Sequence, residues 1–389
     1  MAGQKCTERE SKQGFYDIMF ISCILTQMGV RSILLKIPSL NTYYFKHYAT
    51  YRFMYFKFKN CLNLLRPLEV SWLITYNCNF KCIHCEASAG STKVLELTTD
   101  EAFRLIDEFK SMGVKRILLS GGEPLVRKDV FLIIEYILSR GIQYGILSNG
   151  FSVDKFTDKF MRMKPFMFFT SIDGLEQTND EIRGVHGAFK KSLDALTFFQ
   201  SIGVDQRVVN TLVLPNNIRQ LPELKKIIQK SAATFWRLAI PIPVGRLMDN
   251  EKPFLDKDQL KYLFGFIDAS RKDLHIELSE DAGYLGCYAL KLRSYHFFCD
   301  AGLTNCAVMP DGEVLGCQIA YDNAFSEGNI RTRSFQEIWR NGFSHFRNPQ
   351  FETKCRACTY LEACRGGCWG MRLGNKHCYK DVWEEPSHN

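Results

Sequence analysis

From Glu69 onward the apolar positions alternate between two periods. Short runs rich in β-branched and aromatic residues at Val70–Thr75, Arg116–Leu119, Gln143–Leu147, Phe166–Ile172, Arg207–Leu214 and Phe235–Ile240 predict strands. Helical spacing over Thr99–Met112, Asp129–Ser139, Phe189–Ser201 and Leu221–Gln229 separates them, and Asp256–Ala269 follows the last strand. Six such strand–helix units predict a parallel sheet, because right-handed crossovers put the helices outside it. The expected fold class is α/β: a partial (β/α)6 TIM-like barrel over residues 69–284, with ligands at the carboxyl ends of the strands. From Leu285 the repeat is lost, and residues 285–389 are expected to form a small cysteine-rich domain cross-linked by metal rather than by a large core.

Residues 1–68 follow neither period. Tyr43, Tyr44, Phe45, Tyr48, Tyr51, Phe53, Tyr55, Phe56 and Phe58 sit among basic residues, and no acidic residue occurs between Ile18 and Leu68. Three readings stay open for this segment: packing over one end of the barrel, docking of a peptide or protein, and peripheral contact with a membrane surface. Its local positive charge points to an acidic or membranous partner better than the formal net charge of +8 does. Nucleic acid is not an expected partner, since no RNA-binding signature accompanies the basic stretch.

Fifteen cysteines change the picture further. The longest apolar runs, Ile18–Leu25 and Ser32–Leu35, are too short for a secretory or membrane-spanning segment, so a cytoplasmic location is expected. In that reducing compartment grouped thiols indicate metal rather than disulfides. After the first strand the chain reads Cys78-Asn79-Phe80-Lys81-Cys82-Ile83-His84-Cys85. Three thiolates on one loop can hold three irons of a cubane and leave the fourth open for an exchangeable ligand. A zinc site would need a fourth ligand such as His84, on a spacing unlike the usual CxxC knuckle.

The CxxxCxφC pattern of Cys78, Cys82 and Cys85, with His84 at the aromatic position, resembles the signature of the radical S-adenosylmethionine superfamily. The resemblance implies a [4Fe–4S] cluster whose open iron is chelated by the methionine moiety of S-adenosyl-L-methionine. It further implies reductive cleavage to a 5′-deoxyadenosyl radical that abstracts hydrogen from substrate, with the electron supplied by an external donor such as flavodoxin or ferredoxin. Gly121-Gly122-Glu123-Pro124 follows strand two, where small residues permit close backbone approach and the glutamate can meet a cationic amino group. By the same resemblance Ser148 and Asn149 border the adenosyl moiety, Ser171 and Asp173 face its ribose or the substrate, and Arg183 pairs with the methionine carboxylate. Asn210 and Thr211 are further candidates beside the adenosyl group.

The late cysteines resemble the SPASM extension of such enzymes: Cys299, Gly312 and Cys317, then Cys355-x2-Cys358-x5-Cys364-x3-Cys368, then Cys378. That resemblance implies two auxiliary [4Fe–4S] clusters, hence three clusters in all. The first would be held by Cys299, Cys306, Cys317 and Cys368, the second by Cys355, Cys358, Cys364 and Cys378. Four cysteines remain, Cys6, Cys23, Cys61 and Cys287. Cys287, between barrel and tail, is the candidate catalytic hydrogen donor or substrate-handling thiol, with replacement of Cys306 as a ligand kept open.

The SPASM resemblance implies a peptide substrate, and maturation of a ribosomally made peptide is the leading expectation. A leader-binding winged helix is not evident in residues 1–68, which leaves two readings open: leader binding by a separate partner protein, or a substrate other than a precursor peptide. Tetrapyrrole side-chain modification, such as oxidative decarboxylation of a haem precursor, and a non-catalytic iron–sulfur interaction protein remain the alternatives.

Overall fold

The computed structural model describes residues 66–90, 94–247, 254–295, 297, 299–319, 325–373, 378, 379 and 382. The basic aromatic segment, with Cys6, Cys23 and Cys61, lies outside the described residues except for 66–68.

The expected units form. Strands β1 (Glu69–Leu73), β2 (Arg116–Ser120), β3 (Gln143–Leu147), β4 (Met167–Ser171), β5 (Gln206–Leu212), β6 (Phe235–Ala239) and β7 (Ile276–Leu278) lie side by side in parallel. The seventh strand, β7, goes beyond the six expected because it spans only Ile276–Leu278, too short for a detectable period. The helix Thr99–Met112 illustrates the logic of the crossovers. Ala102, Leu105, Ile106 and Phe109 form its buried stripe. Thr98 and Glu101 close a capping box at its start, and Gly113 ends it in the left-handed conformation at φ 83°.

The tail does not stand apart from this sheet. Strands β8 (Asn305–Val308), β9 (Glu313–Leu315) and β10 (Ser326–Asn329) extend it, giving the order β10-β9-β8-β1-β2-β3-β4-β5-β6-β7. β8 runs parallel to β1, with Val70 opposite Cys306 and Ser71 opposite Ala307. Arg331, just after β10, holds the join by donating to the carbonyls of Leu95 and Glu96 and to the Glu101 carboxylate.

Side chains alternate across these strands as the pleat requires. Val70, Trp72 and Ile74 enter the large core under the helices, whereas Leu73 joins Ala87, Ala89, Ala307 and Met309 on the other face, beneath the first cysteine loop. Among the described residues no helix is long and apolar enough to cross a membrane.

Beyond β7 the chain turns sharply, and a fully buried guanidinium holds the turn. Arg293 donates to the carbonyls of Leu278 (2.9 Å) and Gly283 (2.7 Å) and to that of Ser279. Replacing it leaves buried carbonyls without donors. Arg293→Met is therefore expected to lower stability by about 3 kcal/mol, read as a shifted midpoint in anaerobic denaturant unfolding. An unchanged midpoint would remove Arg293 from this role.

Candidate active site

The loop after β1 is held from both ends. Glu96 accepts hydrogen bonds from the Thr75 hydroxyl and the Tyr76 amide, both at 2.8 Å, and Arg127 donates to the Ile74 carbonyl at 2.7 Å. Cys78, Cys82 and Cys85 then follow on one partly exposed loop, and each sulfur has its own N–H donor. The Phe80 amide reaches Cys78 Sγ (3.4 Å), the Ala89 amide Cys85 Sγ (3.4 Å), and Arg183 Nη1 Cys82 Sγ (3.8 Å). Burial pushes the Cys78 thiol up to about 12 and raises that of Cys82. Thiolates at such positions need a cation against them, so the donor set fits an iron centre.

Neighbouring loops touch this one backbone to backbone. A Cβ at Gly121 would lie 2.4 Å from the Thr75 carbonyl oxygen, and one at Gly122 would lie 2.2 Å from that of Asn77. Gly245 is equally confined, at 2.3 Å from the carbonyl oxygens of Cys85 and Glu86. Only glycine permits these approaches. Arg246 completes the clamp by donating to the carbonyls of Cys82 and Ala89.

Above the strands lies a cavity of about 280 Å³. Cys78, Cys82, His84, Cys85, Gly121, Gly122, Ser148, Asn149, Ser171, Arg183 and Asn210 all line it, as expected of a cofactor site. Its remaining wall includes Glu86, Arg237, Asp281 and Gln318, which the sequence reading did not single out. Glu86 is raised to about 7 by burial and by Asp281.

Four expected cofactor residues face elsewhere. Glu123 is 1% exposed, and its carboxylate accepts from the amides of Asn149 (2.7 Å) and Leu125 (3.1 Å) and from the Ser148 hydroxyl (2.8 Å). It braces the β2 and β3 loops and lies outside the cavity lining, as does Pro124 beside it. Thr211 is on the opposite face of β5 from Asn210, bonded to the Ile172 carbonyl and to Trp236 Nε1.

Asp173 is also off the lining and completely buried. Its Oδ1 accepts from the Leu212 amide at 2.8 Å, while Oδ2 pairs with Arg183 and lies 3.6 Å from His84 Nε2. Burial lowers the His84 pKa to about 4, outweighing Asp173, so the imidazole is neutral and the long contact is not an ion pair. Asp173 thus holds Arg183 against Cys82 instead of meeting a ligand itself. Along this wall His84 Nδ1 and Arg183 Nε are buried without a hydrogen-bond partner among the described residues, polar atoms that a bound ligand would satisfy.

The tail thiols form two groups. Cys299, Cys317 and Cys368 share an apolar cluster with Ile242, Phe297 and Ile319, and burial pushes Cys368 up to about 12. Cys355, Cys358, Cys364 and Cys378 are near enough for the charge of Cys378 to raise both Cys355 and Cys364.

Cys299 and Cys317 also pack against the large core that contains Cys306. Cys306 itself lies fully buried on β8 in the core beneath the helices, because its register opposite Val70 turns it to that face. Among the described residues no three His, Cys, Asp or Glu side chains converge on a single metal ion. Cys287 stands in the turn Gly286–Tyr288, and its side chain lies outside the described ones.

Comparison with known proteins follows the same division. Residues 72–228 match the radical SAM superfamily, and residues 299–359 match an iron-sulfur cluster-binding domain, SPASM. The chain is 29% identical to mycofactocin maturase MftC of Mycolicibacterium smegmatis over 79% of each chain. It is 30% identical to AdoMet-dependent heme synthase of Methanosarcina barkeri, over 77% of this chain and 90% of that one. Streptococcus suis SuiB bound to precursor peptide SuiA superposes with a TM-score of 0.67 at 19% identity, covering 94% of this chain and 89% of that one, which establishes likeness of fold.

The glycine contacts can be tested directly. Gly122→Ala is expected to cost about 1–3 kcal/mol through backbone crowding and to reduce iron retained by the first cysteine loop. Gly265→Ala, where nothing lies within 4 Å, is the control and should leave iron content unchanged. Equal iron loading and melting temperature in both variants would contradict the close-packing argument.

Proposed function

This chain belongs to the radical SAM superfamily and carries its SPASM extension, and we propose that it matures a ribosomally made peptide. The observation carrying this reading is a cavity with the three-thiol loop and Arg183 on one side and Arg237, Asp281 and Gln318 on the other. The likeness to mycofactocin maturase MftC over 79% of both chains supports a peptide occupant.

We assign Cys78, Cys82 and Cys85 to the radical-site cluster, and Cys355, Cys358, Cys364 and Cys378 to one of two auxiliary clusters, making three in all. When bound, the cluster and S-adenosylmethionine would supply one-electron radical chemistry at this loop. Ser148, Asn149, Ser171 and Asn210 border the adenosyl group. Arg183, held by Asp173, presents its charge to the methionine carboxylate and to Cys82 together. Gly121 and Gly122 let the cofactor approach the backbone. The enclosing strands would shield the bound cofactor from water. Flavodoxin or ferredoxin is the proposed electron donor, a separate protein the proposed leader binder, and the cytoplasm the proposed location.

A second reading has one observation in its favour. The relative at 30% identity is an AdoMet-dependent heme synthase, which supports tetrapyrrole side-chain modification, and Arg237 in the cavity wall suits a propionate. The two readings differ in what drives turnover. Under anaerobic reduction, 5′-deoxyadenosine formation with a candidate precursor peptide, and a changed peptide mass, is expected. Turnover with iron-coproporphyrin alone, with loss of carbon dioxide, would replace the peptide reading.

Cys82→Ala is expected to reduce adenosylmethionine cleavage at least about a hundredfold, as loss of a cluster ligand should. Retained cleavage would overturn the radical-site assignment.

A further inference from the structure

Asp173 follows β4, has no solvent exposure and is held by several elements at once. Its amide donates to Asn179 Oδ1 at 2.9 Å, and its carbonyl accepts from Asn217 Nδ2 at 2.7 Å. The same Asn217 nitrogen donates to the Leu212 carbonyl at 2.7 Å, while the Leu212 amide donates to Asp173 Oδ1 at 2.8 Å. The end of β5, the loop after it and the helix Glu176–Arg183 thereby fix both backbone and carboxylate, and Oδ2 faces Arg183.

Arg183 is the last residue of that helix, and the helix end is docked on the cysteine loop. The Ile83 amide donates to the Ile182 carbonyl at 3.1 Å. Gly184 ends the helix at φ +69°, where a Cβ would lie 3.3 Å from the Lys81 carbonyl oxygen. With the residues on both sides of it touching the loop, the guanidinium has only a short span to cross. Nη2 pairs with Asp173, and Nη1 reaches Cys82 Sγ at 3.8 Å. The guanidinium is a rigid fork, so fixing one prong on Asp173 aims the other at the sulfur. The Arg183 side chain is 11% exposed and that of Asp173 not at all, so little water screens the contact.

We propose that Asp173 is a positioning residue that holds the Arg183 guanidinium on the Cys82 sulfur, and that this contact raises the reduction potential of the cluster at the three-thiol loop. This rests on the reading that Cys82 is a ligand of that cluster. Reduction adds one negative charge to the cluster, and a fixed cation donating an N–H to a ligand sulfur favours the more negative state. The ion pair with Asp173 offsets part of the cation's charge and keeps its N–H on the sulfur.

The test uses the full chain with its clusters reconstituted anaerobically. The radical-site signal is identified as the reduced-state paramagnetic resonance that changes when S-adenosylmethionine is added. Its potential is then measured without that compound in the parent, Arg183→Met, Asp173→Asn and the double variant. Arg183→Met is expected to lower the reduced-to-oxidised ratio of this cluster at a fixed ambient potential at least about tenfold, the weight of one charge-assisted hydrogen bond, and to leave the other cluster signals unmoved. In the Asp173→Asn background the same change is expected to move the ratio less than about threefold, because the guanidinium is no longer held on the sulfur. With arginine carrying a heavy nitrogen isotope, a nitrogen coupling to the reduced cluster should be present in the parent and absent from both single variants.

An unchanged radical-site potential in Arg183→Met would overturn the proposal. So would an equal Arg183→Met shift with and without Asp173. Where Arg183→Met fails to load iron, Arg183→Lys is the second variant: it keeps the charge and loses the fork, so a lowered ratio is expected and a parental one refutes the geometry. A parent chain in which no signal responds to S-adenosylmethionine would instead sink the cluster reading on which the proposal rests.

Discussion

Everything at the site follows from bringing three partly buried thiols onto one loop without leaving the loop free to move. Thiolates in such a place are unstable alone and must meet a cation, so their positions have to be fixed before the cation arrives. The fixing is done by backbone. Gly121, Gly122 and Gly245 bring two other loops within contact of the carbonyls of Thr75, Asn77, Cys85 and Glu86, distances that exclude any side chain. Glu96 and Arg127 tie down the start of the loop, and Arg246 ties down its end. A cluster ligand set on a flexible loop would lose affinity through ordering entropy, which this packing has already met on folding.

One buried charge couples this loop to the sheet. Asp173 has no solvent exposure, and its two oxygens are divided between the Leu212 amide and Arg183. The pairing offsets the desolvation of both charges, and it leaves Arg183 Nη1 directed at Cys82. A cation hydrogen-bonded to a ligand sulfur stabilises the more negative, reduced state of whatever that sulfur binds. The ends of β4 and β5 therefore influence chemistry on the loop after β1, although neither strand supplies a thiol.

The sequence made the repeat, the cysteine loop and the cavity-lining motif residues legible, because each is a local signal: a period, a spacing or a turn. What it left open is direction. Glu123, Asp173 and Thr211 are polar residues near the ends of β2, β4 and β5, and proximity to a strand end suggested the cavity. A parallel strand is covered on both faces, so its apolar pattern does not say which face a polar residue takes. The setting of Cys306 was hidden for a similar reason: cysteine spacing is visible in the sequence, while the pleat depends on pairing with Val70, far away along the chain. The join of β8 to β1 was hidden for that reason too.

That join has a consequence for how electrons and substrate can be arranged. Were the tail an independent module, its separation from the radical loop would depend on a hinge. Instead β8 lies against β1, the strand that delivers Cys78, and Arg331 binds the tail to the residues before the helix Thr99–Met112. On the far side Gly283 presses against Cys368, and Asp281, Gln318 and Ile319 complete the cavity wall opposite Arg183. The tail thiols are therefore held relative to the radical loop by sheet hydrogen bonds at one end and backbone contact at the other. A ligand in the cavity would meet the three-thiol loop on one wall and Asp281, Gln318 and Ile319 on the other, so sheet pairing and backbone contact fix the distance between those walls before anything binds.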